Sequence, residues 1–370
     1  MIDVRSAIAD PGIRRKMLDV KRLSLDENRK YWHEQFEKPT LRTVFFELTR
    51  RCNERCIHCG SRAGENCSTE LGVDVWKNMV DKLKADFGTK DIYITITGGE
   101  PLLYRDFYEL VDYIHSVGYR WGMTTNGTLI DVAAARKIAD AGCGSISISI
   151  DGTEEYHDQF RRVPNSYNRA FEGLQNLIDV GIPKLMVTTV MTPAMVPHLD
   201  DMFEKINQYP IDAWRIVQME PIGRALDHPE LMCSPDDIRT IFEFIRDKRI
   251  DSIPVVYGCS HYLDMEYEGE LRDWFWFCLA GKGVASISAE GDILGCLNIA
   301  RNDVTIQGNI LRDDFTDVWR NRFKCFRQDL SELNDRCRSC EQRADCFGGA
   351  CHTFDFEKGE QRYCFKDVLF

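Results

Sequence analysis

Six short β-rich runs, each passing into a loop of turn-forming or reactive residues, constrain this chain most strongly. They cover 43–48, 91–97, 119–125, 145–150, 184–190 and 213–219. The first leads directly into three closely spaced cysteines. The others end at Gly98-Gly99, Asn126-Gly127, Asp151-Gly152, Thr192-Pro193 and Glu220-Pro221. Between them lie segments with apolar residues at helical spacing, such as Val73, Trp76, Met79, Val80 and Leu83, or Ala170, Leu174, Leu177 and Ile178. Strands that alternate with helices pair in parallel, so the pattern predicts an α/β domain whose sheet curls into a full or partial barrel. Ligands of such sheets sit at the C-terminal strand ends, where all of these loops fall.

The 15 cysteines are unevenly placed. Cys52, Cys56 and Cys59 form one knot and eight more lie between 278 and 364, with only Cys67, Cys143, Cys233 and Cys259 in between. No run approaches the roughly 20 apolar residues of a membrane span, and the first residues lack the apolar stretch of a signal peptide. The expected location is therefore the cytoplasm, with no membrane partner. In a reducing compartment disulfides are not expected, so the cysteines point to metal or cluster chemistry in two separate regions. A net charge of −12 argues against nucleic acid, whose phosphates it would repel.

In Cys52-Asn-Glu-Arg-Cys56-Ile-His-Cys59 the gaps are three and two residues. Three thiolates on one short loop can hold three irons of a four-iron cluster and leave the fourth open to a ligand. A zinc site competes, but structural zinc asks for four protein ligands. His58, inside the knot, is read as a packing residue. Together with Gly98-Gly99-Glu100-Pro101 after the second run and Ser149-Ile-Asp-Gly152 on the fourth, the knot resembles the radical S-adenosylmethionine superfamily from about residue 43 to 225. The resemblance implies a partial (β/α)6 TIM barrel. It also implies a 4Fe-4S cluster on Cys52, Cys56 and Cys59 that binds S-adenosylmethionine and cleaves it to a 5′-deoxyadenosyl radical. Gly98, Gly99, Glu100 and Pro101 would then orient the methionine amine, and Asn126, Ser149 and Arg161 would reach the same ligand.

Farther on, Cys278 is followed by twelve residues, Gly291, four residues and Cys296, then by Cys337, Cys340, Cys346, Cys351 and Cys364. This series resembles the loop-rich SPASM extension of the same superfamily, which holds two auxiliary 4Fe-4S clusters. Carried over, Cys278, Cys296 and Cys351 bind the nearer cluster, with Cys259 as candidate fourth ligand. Cys337, Cys340, Cys346 and Cys364 bind the farther one. One departure is visible: Phe347-Gly-Gly-Ala350 separates two cysteines by four residues where the family has three, and a bulge at Gly348-Gly349 is expected to absorb it. The domain expectation is a helical segment over 1–42, the barrel over 43–228, a bridge over 229–277 and the auxiliary-cluster domain over 278–370.

Among enzymes with this extension, the sulfatase maturases carry an aspartate just after the second cysteine of the first auxiliary group; here that position is Leu297. The phrases around Cys56, Cys278 and Cys296 resemble the maturases of ribosomally made peptides (RiPP maturases). The expectation is abstraction of a hydrogen atom from a precursor peptide and installation of a thioether or carbon–carbon cross-link, with an auxiliary cluster as electron acceptor. A flavodoxin or ferredoxin would supply the electron. Because 1–42 is short for a peptide-recognition domain, either a separate protein presents the peptide or the barrel binds it directly. A peptide epimerase and a small-molecule enzyme of cofactor or tetrapyrrole maturation are the alternatives, followed by a non-catalytic iron–sulfur or zinc protein.

Overall fold

The computed structural model describes residues 11–65, 70–249, 251–258, 261–272, 275 and 277–369. Its organising element is a ten-stranded sheet ordered β10-β9-β8-β1-β2-β3-β4-β5-β6-β7. The strands β1 (Thr43–Glu47), β2 (Tyr93–Thr97), β3 (Arg120–Thr125), β4 (Cys143–Ser149), β5 (Leu185–Met191) and β6 (Ala213–Gln218) match the six expected runs to within two residues. They run parallel, neighbour to neighbour in chain order, as right-handed strand–helix–strand crossovers demand. The result is the α/β partial barrel of the expected class.

Helices cover one face because their apolar stripes require it. Trp76, Met79, Val80 and Leu83 of the Val73–Phe87 helix are buried, and Trp76 meets Phe46 of β1 at 4.9 Å between ring centroids. Ala170, Leu174 and Leu177 do the same for Ser166–Asp179. The opposite face of each strand is the barrel interior. Along β5 and β6 burial alternates strictly, with the helix-facing residues enclosed and Met186, Thr188, Val190, Arg215 and Val217 only partly covered.

The sheet continues past the six strands at both edges. β7 (Val255–Tyr257) pairs with β6, and β8 (Val284–Ile287), from the C-terminal region, pairs in parallel with β1 in the register Thr43↔Val284. β8 turns back into β9 (Asp292–Leu294) through Gly291, whose φ of 90° suits glycine alone among ordinary residues. β10 (Gly308–Asn309) completes the edge. The chain after 300 is otherwise short helices and loop, with one two-residue ladder of Phe354–Asp355 and Glu360–Gln361. Against it dock the helices Pro11–Leu23 and Leu25–Glu37: Trp32 stacks on Phe277 at 4.2 Å, and Arg29 makes a two-pronged ion pair with Asp345, at 2.7 and 2.9 Å. Among the described residues no helix is long and apolar enough to cross a membrane.

Candidate active site

The cysteine loop leaves the C-terminal end of β1 and is held by the ends of the next three strands. The amide of Gly99 donates to the Thr49 carbonyl at 2.7 Å and that of Glu100 to the Arg51 carbonyl at 2.9 Å. A Cβ on Gly98 would sit 2.7 Å from the Thr49 carbonyl oxygen, and one on Gly99 would collide with that of Arg51. The two glycines thus let the loop after β2 lie directly on the cysteine loop. Pro101 opens the short turn that follows.

Glu100 is fully enclosed. It accepts from the Thr125 hydroxyl at 2.9 Å, the Asn126 amide at 2.9 Å and the Leu102 amide at 3.3 Å, tying β2 to β3. Burial pushes its carboxyl up to about 7 despite these donors. The side chain of Asn126 donates to Asn53, between the first two cysteines, at 2.8 Å. Ser149 ends β4 on the interior face, partly covered.

Arg161 lies beneath the loop. It donates to Glu54 at 2.7 Å and to Asp151 at 2.7 and 3.0 Å, and Glu54 also accepts from the Ser166 hydroxyl. Burial opposes ionisation of Asp151, yet the positive Arg161 beside it holds its carboxyl below the usual range. His58 stacks on Phe160 at 4.4 Å, the packing role expected for it, and burial drops its pKa to about 4. Glu54, Asn53, Asp151 and Ser166 were not singled out as site residues. The one sequence signal was that Asn53 and Glu54 interrupt the cysteine spacing and Asp151 closes a strand.

None of the 13 described cysteines is in a disulfide. The knot fits an iron–sulfur cluster: backbone amides of Glu54 and Ala63 point at the sulfurs of Cys52 and Cys59, at 3.4 and 3.3 Å, and Arg161 offsets charge at Cys56. Burial still pushes the Cys52 thiol up to about 12 and the Cys56 thiol well above its usual range, and these donors offset it only in part.

The C-terminal cysteines form two groups that interleave in sequence. Cys278, Cys296 and Cys351 converge in the interior, with the Cys351 amide donating to the Cys278 sulfur at 3.4 Å. The neighbouring Cys351 thiol and the Lys282 ammonium hold Cys278 well below the usual thiol range. Cys337, Cys340, Cys346 and Cys364 line one cavity, and Lys366 approaches the Cys340 sulfur at 3.8 Å. The additional residue before Cys351 is taken up by a left-handed stretch, with φ of 53° at Phe347, 81° at Gly348 and 85° at Gly349. Cys259 and Cys67 lie outside the described residues.

One further cluster was missed. Glu220, just after β6, meets His352 through one carboxylate oxygen and His261 through the other, the latter at 3.3 Å. Burial opposes its charge, but the two imidazoles hold Glu220 well below the usual carboxylate range. Because His352 adjoins Cys351, this contact fastens the nearer auxiliary group to the C-terminal end of a barrel strand.

A family model of the radical SAM superfamily matches residues 46–209, and one of the SPASM iron–sulfur cluster-binding domain matches 278–341. The chain is 32% identical over 339 residues to the mycofactocin maturase MftC of Mycobacterium tuberculosis, covering 88% of this chain and 82% of that one. It therefore belongs to the radical S-adenosylmethionine superfamily and carries a SPASM domain, which together imply iron–sulfur clusters and S-adenosylmethionine binding. It is also 29% identical over 337 residues to the AdoMet-dependent heme synthase of Oleidesulfovibrio alaskensis, across 86% of this chain and 84% of that one. In fold it resembles Streptococcus suis SuiB, solved with its precursor peptide SuiA, at a TM-score of 0.68 and 18% identity over 84% of this chain and 72% of that one.

Proposed function

We propose that this radical SAM enzyme modifies a ribosomally made precursor peptide by oxidation, forming a cross-link. The observation that carries the reading is the Glu220–His352 contact, which sets the Cys278, Cys296 and Cys351 group beside the mouth of the barrel. A cross-link removes two hydrogens from the peptide, one as a hydrogen atom and one as an electron and a proton. An electron acceptor beside the barrel mouth suits the second half.

In this reading Cys52, Cys56 and Cys59 hold the 4Fe-4S cluster that, when bound and reduced, cleaves S-adenosylmethionine to the 5′-deoxyadenosyl radical. The loop Gly98–Pro101 offers its backbone to the methionine end, since the Glu100 carboxylate is committed to Thr125, Asn126 and Leu102. Asn126 and Ser149 face the same strand ends. Arg161 acts through the loop, fixing Glu54 and hence the spacing of Cys52 and Cys56. Cys278, Cys296 and Cys351 hold one auxiliary 4Fe-4S cluster and Cys337, Cys340, Cys346 and Cys364 a second, and a flavodoxin- or ferredoxin-type donor supplies electrons. The proposed division is 1–42 as a docking segment, 43–228 as barrel, 229–277 as bridge and 278–370 as auxiliary domain, in the cytoplasm.

A second reading, a tetrapyrrole-modifying enzyme, is favoured by the likeness to the heme synthase. Co-expression with a peptide encoded beside the gene, followed by mass spectrometry, separates them. Loss of two hydrogens from the peptide is expected; an unchanged peptide together with turnover of an iron porphyrin would overturn the peptide reading. Deuterium uptake without mass loss from hydrogen removal would instead mark epimerisation.

A further inference from the structure

The interior face of the barrel carries an arginine that no carboxylate among the described residues faces. Arg215 is the third residue of β6 and projects to the inside, since its neighbours Trp214 and Ile216 are enclosed on the helix side, where Trp214 packs on Phe244 at 5.8 Å. Its Nε donates to the Thr188 hydroxyl at 3.0 Å and one Nη to the Ser147 hydroxyl at 3.3 Å; these hydroxyls also bond each other at 2.7 Å. Burial pulls its pKa below the ordinary arginine value, and no carboxylate among the described residues counters that.

Other arginines of low exposure contrast with it. Arg161 meets Glu54 and Asp151, Arg224 meets Glu65, Arg272 meets Glu268 and Arg301 meets Glu47. Arg327 has no acid either, but it spends donors on the carbonyls of Gly281 and Arg320 and rests over Trp319. Among the described residues only hydroxyls receive Arg215, and they use two of its five N–H donors. In a chain with twelve more acids than bases (59 against 47), a carboxylate partner was readily at hand in composition, yet none faces it. The site is also built: residue 258 is glycine, and a Cβ there would collide with the arginine stem.

A partly covered guanidinium that faces the barrel interior with N–H groups left over is completed by a carboxylate, which it grips through two parallel bonds. We propose that Arg215, backed by Ser147 and Thr188, receives a carboxylate of the substrate inside the barrel. For a peptide this is an acidic side chain or a free C-terminus. The inference rests on the reading above only in that the substrate enters the barrel. The carboxylate of S-adenosylmethionine is the other source. Arg215 lies three residues back from the end of β6, roughly 10 Å below the rim that carries the cysteine loop, and this depth favours the substrate.

The test labels the reconstituted enzyme with phenylglyoxal and follows modification of Arg215 by peptide mass spectrometry. The probes are glutarate, its neutral analogue glutaramide, and S-adenosylmethionine. Arg215 is expected to react in the free enzyme and with S-adenosylmethionine bound. Glutarate is expected to slow the reaction about fivefold or more at concentrations several times its dissociation constant, and glutaramide to leave it unchanged. In T188V, glutarate protection should weaken. An unreactive Arg215, equal protection by glutaramide, or full protection by S-adenosylmethionine alone would each overturn the assignment. Labelling needs no turnover, so its failure leaves the peptide reading intact, and an unmodified peptide leaves the carboxylate subsite intact.

Discussion

The two cysteine regions reach their geometry by opposite routes. The first knot spans eight residues on one loop, which hangs from β1 and is braced by Gly99, Glu100, Asn126 and Arg161 at the ends of β2, β3 and β4 and their following segments. The second array draws its cysteines from 278 to 364, across a region whose only regular pairing among the described residues beyond β8–β10 is the two-residue ladder of Phe354–Asp355 with Glu360–Gln361. The barrel braces its knot with hydrogen bonds of its own. The array has long loops to close, and beside the apolar core of Phe315, Val318, Trp319, Phe323, Phe326 and Phe354 the proposed clusters would bridge them. The lesson is that spacing alone identifies a local site, whereas a distributed one depends on the fold.

The most severe break in the comparison is replacement of Cys52, Cys56 and Cys59 by alanine. It should abolish 5′-deoxyadenosine formation, a loss of at least about a thousandfold, measured by chromatography after anaerobic reconstitution; residual cleavage near the wild-type rate would refute the assignment. C337A should instead retain cleavage and lose the modified peptide. Product retained in that variant would refute the electron-acceptor role of the array.

Iron removal sharpens the contrast in stability. Chelation should strip hydrogen-exchange protection from 330–369 while sparing β1 to β6; uniform loss over both regions would contradict a barrel that braces its own knot. Within the barrel, R161M leaves Glu54 and Asp151 buried and unpaired, and should cost about 3–5 kcal/mol in denaturant unfolding.

The enclosed Glu100 provides a pH test. Its folded pKa of about 7 lies above the 4.5 of an ordinary glutamate, so the folded state binds the proton more tightly. Stability should therefore fall as pH rises from about 4.5 to 7, by about 3 kcal/mol at most relative to E100Q. Parallel curves for the two proteins would show that Glu100 titrates normally. The smallest effect belongs to the docked N-terminal helices, where R29M should cost about 1 kcal/mol and speed proteolysis of 11–37.

The six strands, the buried stripe Trp76-Met79-Val80-Leu83, the cysteine knot and the glycine pair were all legible because each is written in local periodicity or spacing. The reasons behind some of them were not. Gly98 and Gly99 were read as orienting the methionine amine, and the fold adds that their lack of a side chain makes room for the Thr49 and Arg51 carbonyls. β8 escaped notice because it joins β1 across some 240 residues, a pairing that leaves no local trace.

By itself, the sequence determined the parallel α/β barrel, the family and which cysteines belong to which region, since short-range pattern and spacing carry that information. Tertiary structure alone decided that Glu54, Asp151 and Arg161 form one buried network, that Glu220 and His352 join the array to the barrel, and that Arg215 meets the hydroxyls of Ser147 and Thr188. Buried charges are governed by which groups share an enclosed space, and residues 107 or 132 positions apart in the chain come to share one only when the sheet closes.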